Sequence, residues 1–148
     1  MSYGNQASQV YLRNAVMTAT QEQLHLMLID GGIKFATLGR KCLDQGDLEG
    51  SFNALERAQK IVLELLNGLR RDANPGLVDR MAGLYGFIYR RLVEANFQRT
   101  TKPLDDALHF LREQRQTWAV LMERIATEVP VELQAAAPAE LPSLSLQG

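Results

Sequence analysis

The chain has 148 residues, enough for one domain with a sizeable core and too few for two comfortable ones. Hydrophobic residues make up 46%, charged residues 22% and aromatic residues 7%, and the net charge is −1; a general nucleic-acid binder would be strongly basic. One cysteine, Cys42, excludes an internal disulfide and cannot alone build a zinc site. The longest apolar run, Trp118 to Met122, falls far short of the ~20 residues of a membrane span, and no basic start followed by an apolar stretch marks a secretory signal. The expectation is a soluble, cytosolic, all-α domain with no membrane insertion.

Residues 1–19 read as an arm, with Val10, Tyr11, Ala15 and Val16 allowing a helical turn or two. Thr20 followed by Gln23 is a capping box, in which a hydroxyl serves an orphan amide and the glutamine reaches back. A helix over about 21–45 follows, its stripe being Leu24, Met27, Leu28, Gly31, Phe35, Leu38 and Cys42. Gly46 can take a positive φ and end it, and Asp47 is a natural N-cap for a second helix over about 48–71. The second stripe is Leu48, Phe52, Leu55, Ala58, Val62, Leu65 and Leu69. Asp72 to Gly76 is a turn by composition. A third helix over about 77–98 carries Leu77, Met81, Leu84, Ile88, Leu92 and Ala95 on one face. Pro103 suits the first turn of a fourth helix over about 103–128, with Leu104, Leu108, Leu111, Trp118, Met122 and Ile125 inward. That helix should stop before Pro130, and residues 129–148 read as a disordered acidic Pro/Ala tail. Short turns between four long helices predict an antiparallel up-down four-helix bundle, residues 20–128, with an N-terminal arm.

Chemistry is sparse. Glu22 with His25 and Asp106 with His109 resemble half of a carboxylate-bridged metal site, but the two histidines fall near opposite poles of an up-down bundle. Both also stand one step off the apolar stripe and read as solvated or rim side chains, so no metal and no cofactor are assigned. Cys42, on a stripe, behaves as a small buried hydrophobe. Arg80, Arg90 and Arg91 suggest an anion-binding face or a solvated one, with Glu94 four residues after Arg90. Gly31, Gly32, Gly39, Gly68, Gly83 and Gly86 lie inside predicted helices, each costing ~1 kcal/mol relative to alanine. They imply close approach of another backbone, either a bundle neighbour or a bound foreign helix. A metal-binding bundle and a generic helical adaptor or phosphotransfer-like module stay open as alternatives.

Thr20-Gln21-Glu22-Gln23-Leu24-His25-Leu26-Met27-Leu28-Ile29-Asp30-Gly31 resembles the first-helix signature of the FliS family of flagellar export chaperones. Leu84-Tyr85-Gly86-Phe87-Ile88-Tyr89-Arg90-Arg91-Leu92-Val93-Glu94-Ala95-Asn96 is similar to its third-helix signature. Gly46-Asp47 and Ala58 to Leu65 resemble its second helix, Trp118 the end of its fourth, and Tyr11 with Asn14 its arm, so about residues 10–125 are covered. Ile29 departs from the family's usual tyrosine, Gln21 from a frequent proline and Gly86 from a common acidic residue.

The resemblance implies a non-enzymatic cytosolic chaperone. It would hold the C-terminal segment of flagellin against premature polymerisation and deliver it to the export gate of the flagellar type III apparatus, as a monomer or weak homodimer. By position, Tyr11 and Asn14 would belong to an arm covering the cargo groove until cargo displaces it. Leu24, Met27, Leu28 and Gly31 would form wall or floor, with Asp30 bonding a polar partner. Tyr85, Tyr89, Arg90, Leu92, Ala95 and Asn96 would serve the third-helix face. Bundle core is the competing role for each, above all for the leucines. Asp30 and Asn96 stand out because polar side chains beside a stripe need a partner.

Overall fold

The computed structural model describes residues 2–70 and 74–136, and every regular element in them is an α-helix: α1 Ser2–Thr18, α2 Gln21–Asp44, α3 Leu48–Asn67, α4 Pro75–Gln98 and α5 Thr101–Ala136. The helix ends follow local chemistry. Thr20 and Gln23 make the reciprocal capping box, Thr20 N to Gln23 Oε1 at 3.0 Å and Gln23 N to Thr20 Oγ1 at 3.1 Å. Gly46 takes φ +75° to turn the chain, and Asp47 Oδ1 accepts from Gly50 N at 2.9 Å at the start of α3. At the start of α4, Asn74 Oδ1 accepts from Leu77 N at 3.3 Å. Pro75 is then its first residue, where the missing N–H costs nothing. The helix therefore begins two residues before the predicted Leu77. In turn α3 stops at Asn67, short of the predicted 71, with Gly68 as its C-cap.

Residues 25–118 form one compact unit. Within it, paired positions give the direction of each seam. Gly31 faces Ile61 while Gly39 faces Leu55, so α2 and α3 are antiparallel. Phe87 meets Phe110 while Arg91 meets Asp106, and α5 returns along α2 through Asp30–Arg115 and Arg40–Asp105. Asn96 reaches Phe52 and Gln59 across the α3/α4 seam. This is an antiparallel up-down four-helix bundle, as the periodicity predicts. Its interior holds Ile29, Leu55, Val62, Leu65, Tyr85, Ile88, Leu92, Leu104 and Leu111, all fully buried.

The stripe predicted on α2 is rotated. The buried line runs Ile29, Gly32, Ala36, Gly39 and Cys42, whereas Leu38 is exposed and Met27 and Leu28 are half-buried. The small residues make the seam: a Cβ added at Gly39 would stand 2.6 Å from Leu55 Cδ2, so α3 lies against backbone there. Cys42 is buried, as its place on a stripe implies.

The remaining described residues, up to Leu24 and from Ala119 onward, form a second unit. Instead of a turn or two, α1 is a helix of 17 residues. Gln6, Ala7, Gln9, Leu12, Arg13, Ala15 and Met17 favour helix, and no proline interrupts them. α5 likewise continues through Pro130 to Ala136, where the sequence predicts a disordered tail from residue 129. Pro130 withholds one N–H bond, but Glu132, Leu133, Gln134, Ala135 and Ala136 beyond it are good helix formers. The rest of the predicted tail, 137–148, lies outside the described residues.

Candidate functional site

The bundle seams differ in how they are closed. Along α2/α5 and α4/α5, ion pairs bridge the surface: Arg40–Asp105, Asp30–Arg115 and Arg91–Asp106, with Glu94 of the same helix also held by Arg91. Neighbouring Lys102 and Arg91 hold the Asp106 carboxyl below its ordinary range by direct hydrogen bonds. The N-terminal half of α3 and the C-terminal half of α4 are joined differently. Between them runs an open groove of about 630 Å³ lined by Leu48, Glu49, Ser51, Phe52, Gln59, Val93, Asn96, Phe97 and Arg99. Four apolar side chains stand in solvent here, Phe97 86% exposed, Phe52 52%, Leu48 44% and Val93 37%. So much exposed apolar area in one place is what a binding surface carries.

Local folding explains the groove. Leu48 and Phe52 continue the α3 stripe of Leu55, Ala58 and Val62 toward the N-terminus, but Phe97 stands off the α4 core face and leaves them uncovered. Asn96 holds the two helices in register from half-buried depth, Nδ2 donating to Gln59 Oε1 at 3.2 Å and to the Phe52 carbonyl at 3.5 Å. Arg99 ends α4 in the left-handed region at φ 57° and lines the mouth. A second hollow of about 470 Å³, lined by Phe87, Tyr89, Arg90, Arg91, Val93 and Glu94, shares Val93 with the first. Together they make a track along the outer face of α4.

Of the residues singled out from sequence, Tyr89, Arg90 and Asn96 are brought together on this track. Tyr85, Leu92 and Ala95, on the same helix, are fully buried and face the interior. On α2, Leu24, Met27, Leu28 and Gly31 are half-buried, and Gly31 admits Ile61 of α3, whose Cδ1 would lie 3.3 Å from an added Cβ. The polar partner of Asp30 is Arg115, at 2.5 Å. Tyr11 and Asn14 are exposed on α1. Ile29, where the resembled family usually has tyrosine, is fully buried, so the exchange bears on the core. The helix glycines divide: Gly31, Gly32 and Gly39 admit bundle neighbours, Gly68 caps α3, and nothing approaches Gly83.

The histidines occupy separate places. Of the two readings the sequence leaves for His25, solvated or rim, the half-buried ring takes the second. Its Nε2 lies 2.7 Å from the Tyr85 hydroxyl and its ring centroid 4.3 Å from that of Trp118. Burial lowers its pKa to about 4, so the ring is neutral at pH 7. Burial also raises that of Tyr85, against an opposing hydrogen bond from Gln114. His109 is exposed on α5, 3.4 Å from Glu113. By the α2/α5 register the two histidines are separated by roughly 16 Å along the bundle. Among the described residues, no three His, Cys, Asp or Glu side chains converge as a metal site would require. No helix among them is long and apolar enough to cross a membrane.

Sequence reasoning missed Phe97, Val93 and Gln59, and assigned Leu48 and Phe52 to the core. The available signal was Phe97 itself, a large aromatic off the helical period beside a polar Asn96.

An antiparallel helical bundle with one seam left open and apolar presents the kind of surface a binding protein carries. Comparison gives the family: the profile described as Flagellar protein FliS matches residues 3–125. The flagellar secretion chaperone FliS of Bacillus subtilis is 36% identical over 116 residues, 77% of this chain and 86% of the relative. That of Salmonella typhimurium is 30% identical over 112 residues, 75% of this chain and 83% of the relative. The Escherichia coli chaperone of the same description is 28% identical over 120 residues, 78% and 86% of the two proteins. The chain belongs to the FliS family, a family of flagellar secretion chaperones.

Proposed function

We propose that this protein holds the C-terminal segment of flagellin in the cytosol, keeps it from polymerising, and delivers it to the flagellar export gate. The observation that carries the reading is the α3/α4 groove, where Leu48, Phe52, Val93 and Phe97 remain exposed in a protein of this family. A flagellin tail that is unstructured before export and amphipathic when folded has apolar residues to lay there. It gives up ordering entropy as it does so, which leaves the complex releasable. The track past Val93 to Tyr89 and Arg90 extends the contact along α4, tyrosine offering apolar area with a polar tip. Of the earlier candidates, Tyr89, Arg90 and Asn96 serve this contact directly. Tyr85, Leu92 and Ala95 support it from within the bundle.

The test is size-exclusion chromatography with light scattering on the full-length protein, alone and with the C-terminal segment of the same organism's flagellin. A one-to-one complex is expected, and it should be lost with Phe52→Ser/Phe97→Ser, whose helical circular dichroism stays that of the parent. A complex that survives both substitutions would refute the groove as cargo site, and no complex with the parent protein would refute the flagellin reading.

A further inference from the structure

The floor of the α3/α4 groove carries two amide side chains whose bonding is one-sided. Asn96 directs its NH2 inward, to Gln59 Oε1 at 3.2 Å and to the Phe52 carbonyl at 3.5 Å. Among the described residues nothing donates to Asn96 Oδ1, and nothing accepts from Gln59 Nε2. Both side chains are half-buried and both line the groove. One open acceptor beside one open donor is the complement of a backbone N–H and its carbonyl. The apolar walls around them offer a bound backbone no such partner.

A residue in the middle of a helix has nothing to give this pair, because its N–H and carbonyl are bonded along the helix. An extended residue turns both groups to one side and leaves them open. The pair therefore discriminates between parts of a cargo segment by backbone conformation, where the apolar walls alone would accept any amphipathic face. We infer that Gln59 and Asn96 clamp the backbone of one extended residue of the bound segment. Gln59 Nε2 donates to its carbonyl and Asn96 Oδ1 accepts from its N–H, while flanking apolar side chains rest on Phe52, Phe97, Leu48 and Val93. The inference rests on the reading of this groove as the cargo site. It adds that the groove takes a non-helical stretch of cargo, with any helical stretches lying elsewhere on the bundle.

The experiment is an ester scan. Peptides covering the C-terminal segment of the same organism's flagellin, each with one backbone amide replaced by an ester, are titrated by calorimetry against the parent protein, Asn96→Ala and Gln59→Ala. An ester removes the N–H donor of one residue and weakens the carbonyl of the residue before it. One position is expected to lose about tenfold in affinity against the parent and nothing further against Asn96→Ala, the coupling a shared hydrogen bond produces. Gln59→Ala, which leaves the bond from Asn96 to Phe52 in place, should erase the smaller loss at the next position toward the C-terminus, where the ester weakens the carbonyl that Gln59 holds. Ester losses equal across all three proteins at every position would overturn the clamp while leaving the cargo site standing. Failure of the unmodified peptide to bind the parent, or binding insensitive to Phe52→Ser/Phe97→Ser, would overturn the cargo reading and the clamp with it.

Discussion

Replacing two helix glycines by alanine, one on α2 and one on α4, should change stability unequally, with a gain on α4 and none on α2. In a helix interior the exchange gains about 0.8–1.0 kcal/mol from reduced backbone freedom in the unfolded state. At Gly83 nothing lies within 4 Å of the added Cβ, so Gly83→Ala should keep the whole gain. At Gly39 the same methyl would stand 2.6 Å from Leu55 Cδ2 and 2.8 Å from its Cγ. Leu55 is fully buried among core neighbours, and Cγ is not a free end that can swing aside. Overpacking of this kind costs about 1–3 kcal/mol, which equals or outweighs the helix gain. Gly39→Ala should therefore be neutral to destabilising by about 2 kcal/mol, and the two variants should differ by about 1–3 kcal/mol. Urea unfolding followed by helical circular dichroism reads both, and about 1 kcal/mol corresponds to roughly 4 °C in thermal midpoint. Equal rises in the two variants would refute the reasoning, because α2 and α3 would then not be in backbone contact at Gly39.

Two further outcomes follow from buried groups, and a third from an exposed one. Folded His25 takes a proton only near pH 4, whereas unfolded it does so near 6.5, so its stabilising contribution is complete above pH 6.5 and falls away toward pH 4. His25→Phe cannot charge, and its denaturant midpoint should fall less than the parent's between pH 7 and pH 5; parallel profiles would contradict the burial of His25. Leu92→Ala should cost about 2–5 kcal/mol, since that side chain is fully buried. Phe97→Ala, at 86% exposure, should stay within about 0.5 kcal/mol of the parent in the same urea assay; comparable losses would mean that Phe97 is part of the core.

The helices were legible because their ends are written in local chemistry. Thr20 with Gln23, Gly46 and Asp47 act within a few residues of themselves, and each is used as the sequence implies. The face that α2 turns inward was not legible. Counting large apolar residues selects Leu24, Met27 and Leu38, yet the seam is made by Gly32, Ala36 and Gly39, whose contribution is the room they leave for other helices. The same limit governs the site. Asn96 could be found, being polar at the edge of a stripe, but Leu48 and Phe52 are indistinguishable from core until the partner helix is seen to leave them bare. Leu92, Ala95 and Tyr85 carry a family signature and sit in the interior, so similarity there marks a bundle position and says nothing of accessibility.

The burial of Cys42 gives the molecule a built-in stopwatch. Its sulfur is tucked beneath the α2–α3 turn, 2.9 Å from where a Cβ on Gly50 would stand, and it is the single thiol of the sequence. The side chain is 8% exposed, so a thiol reagent reacts with it far faster when that hairpin parts, and the labelling rate reports the free energy of opening at one end of the bundle. On the reading of the adjoining α3/α4 seam as the cargo site, occupancy should slow that clock, and the unmodified protein would serve as its own sensor of loading.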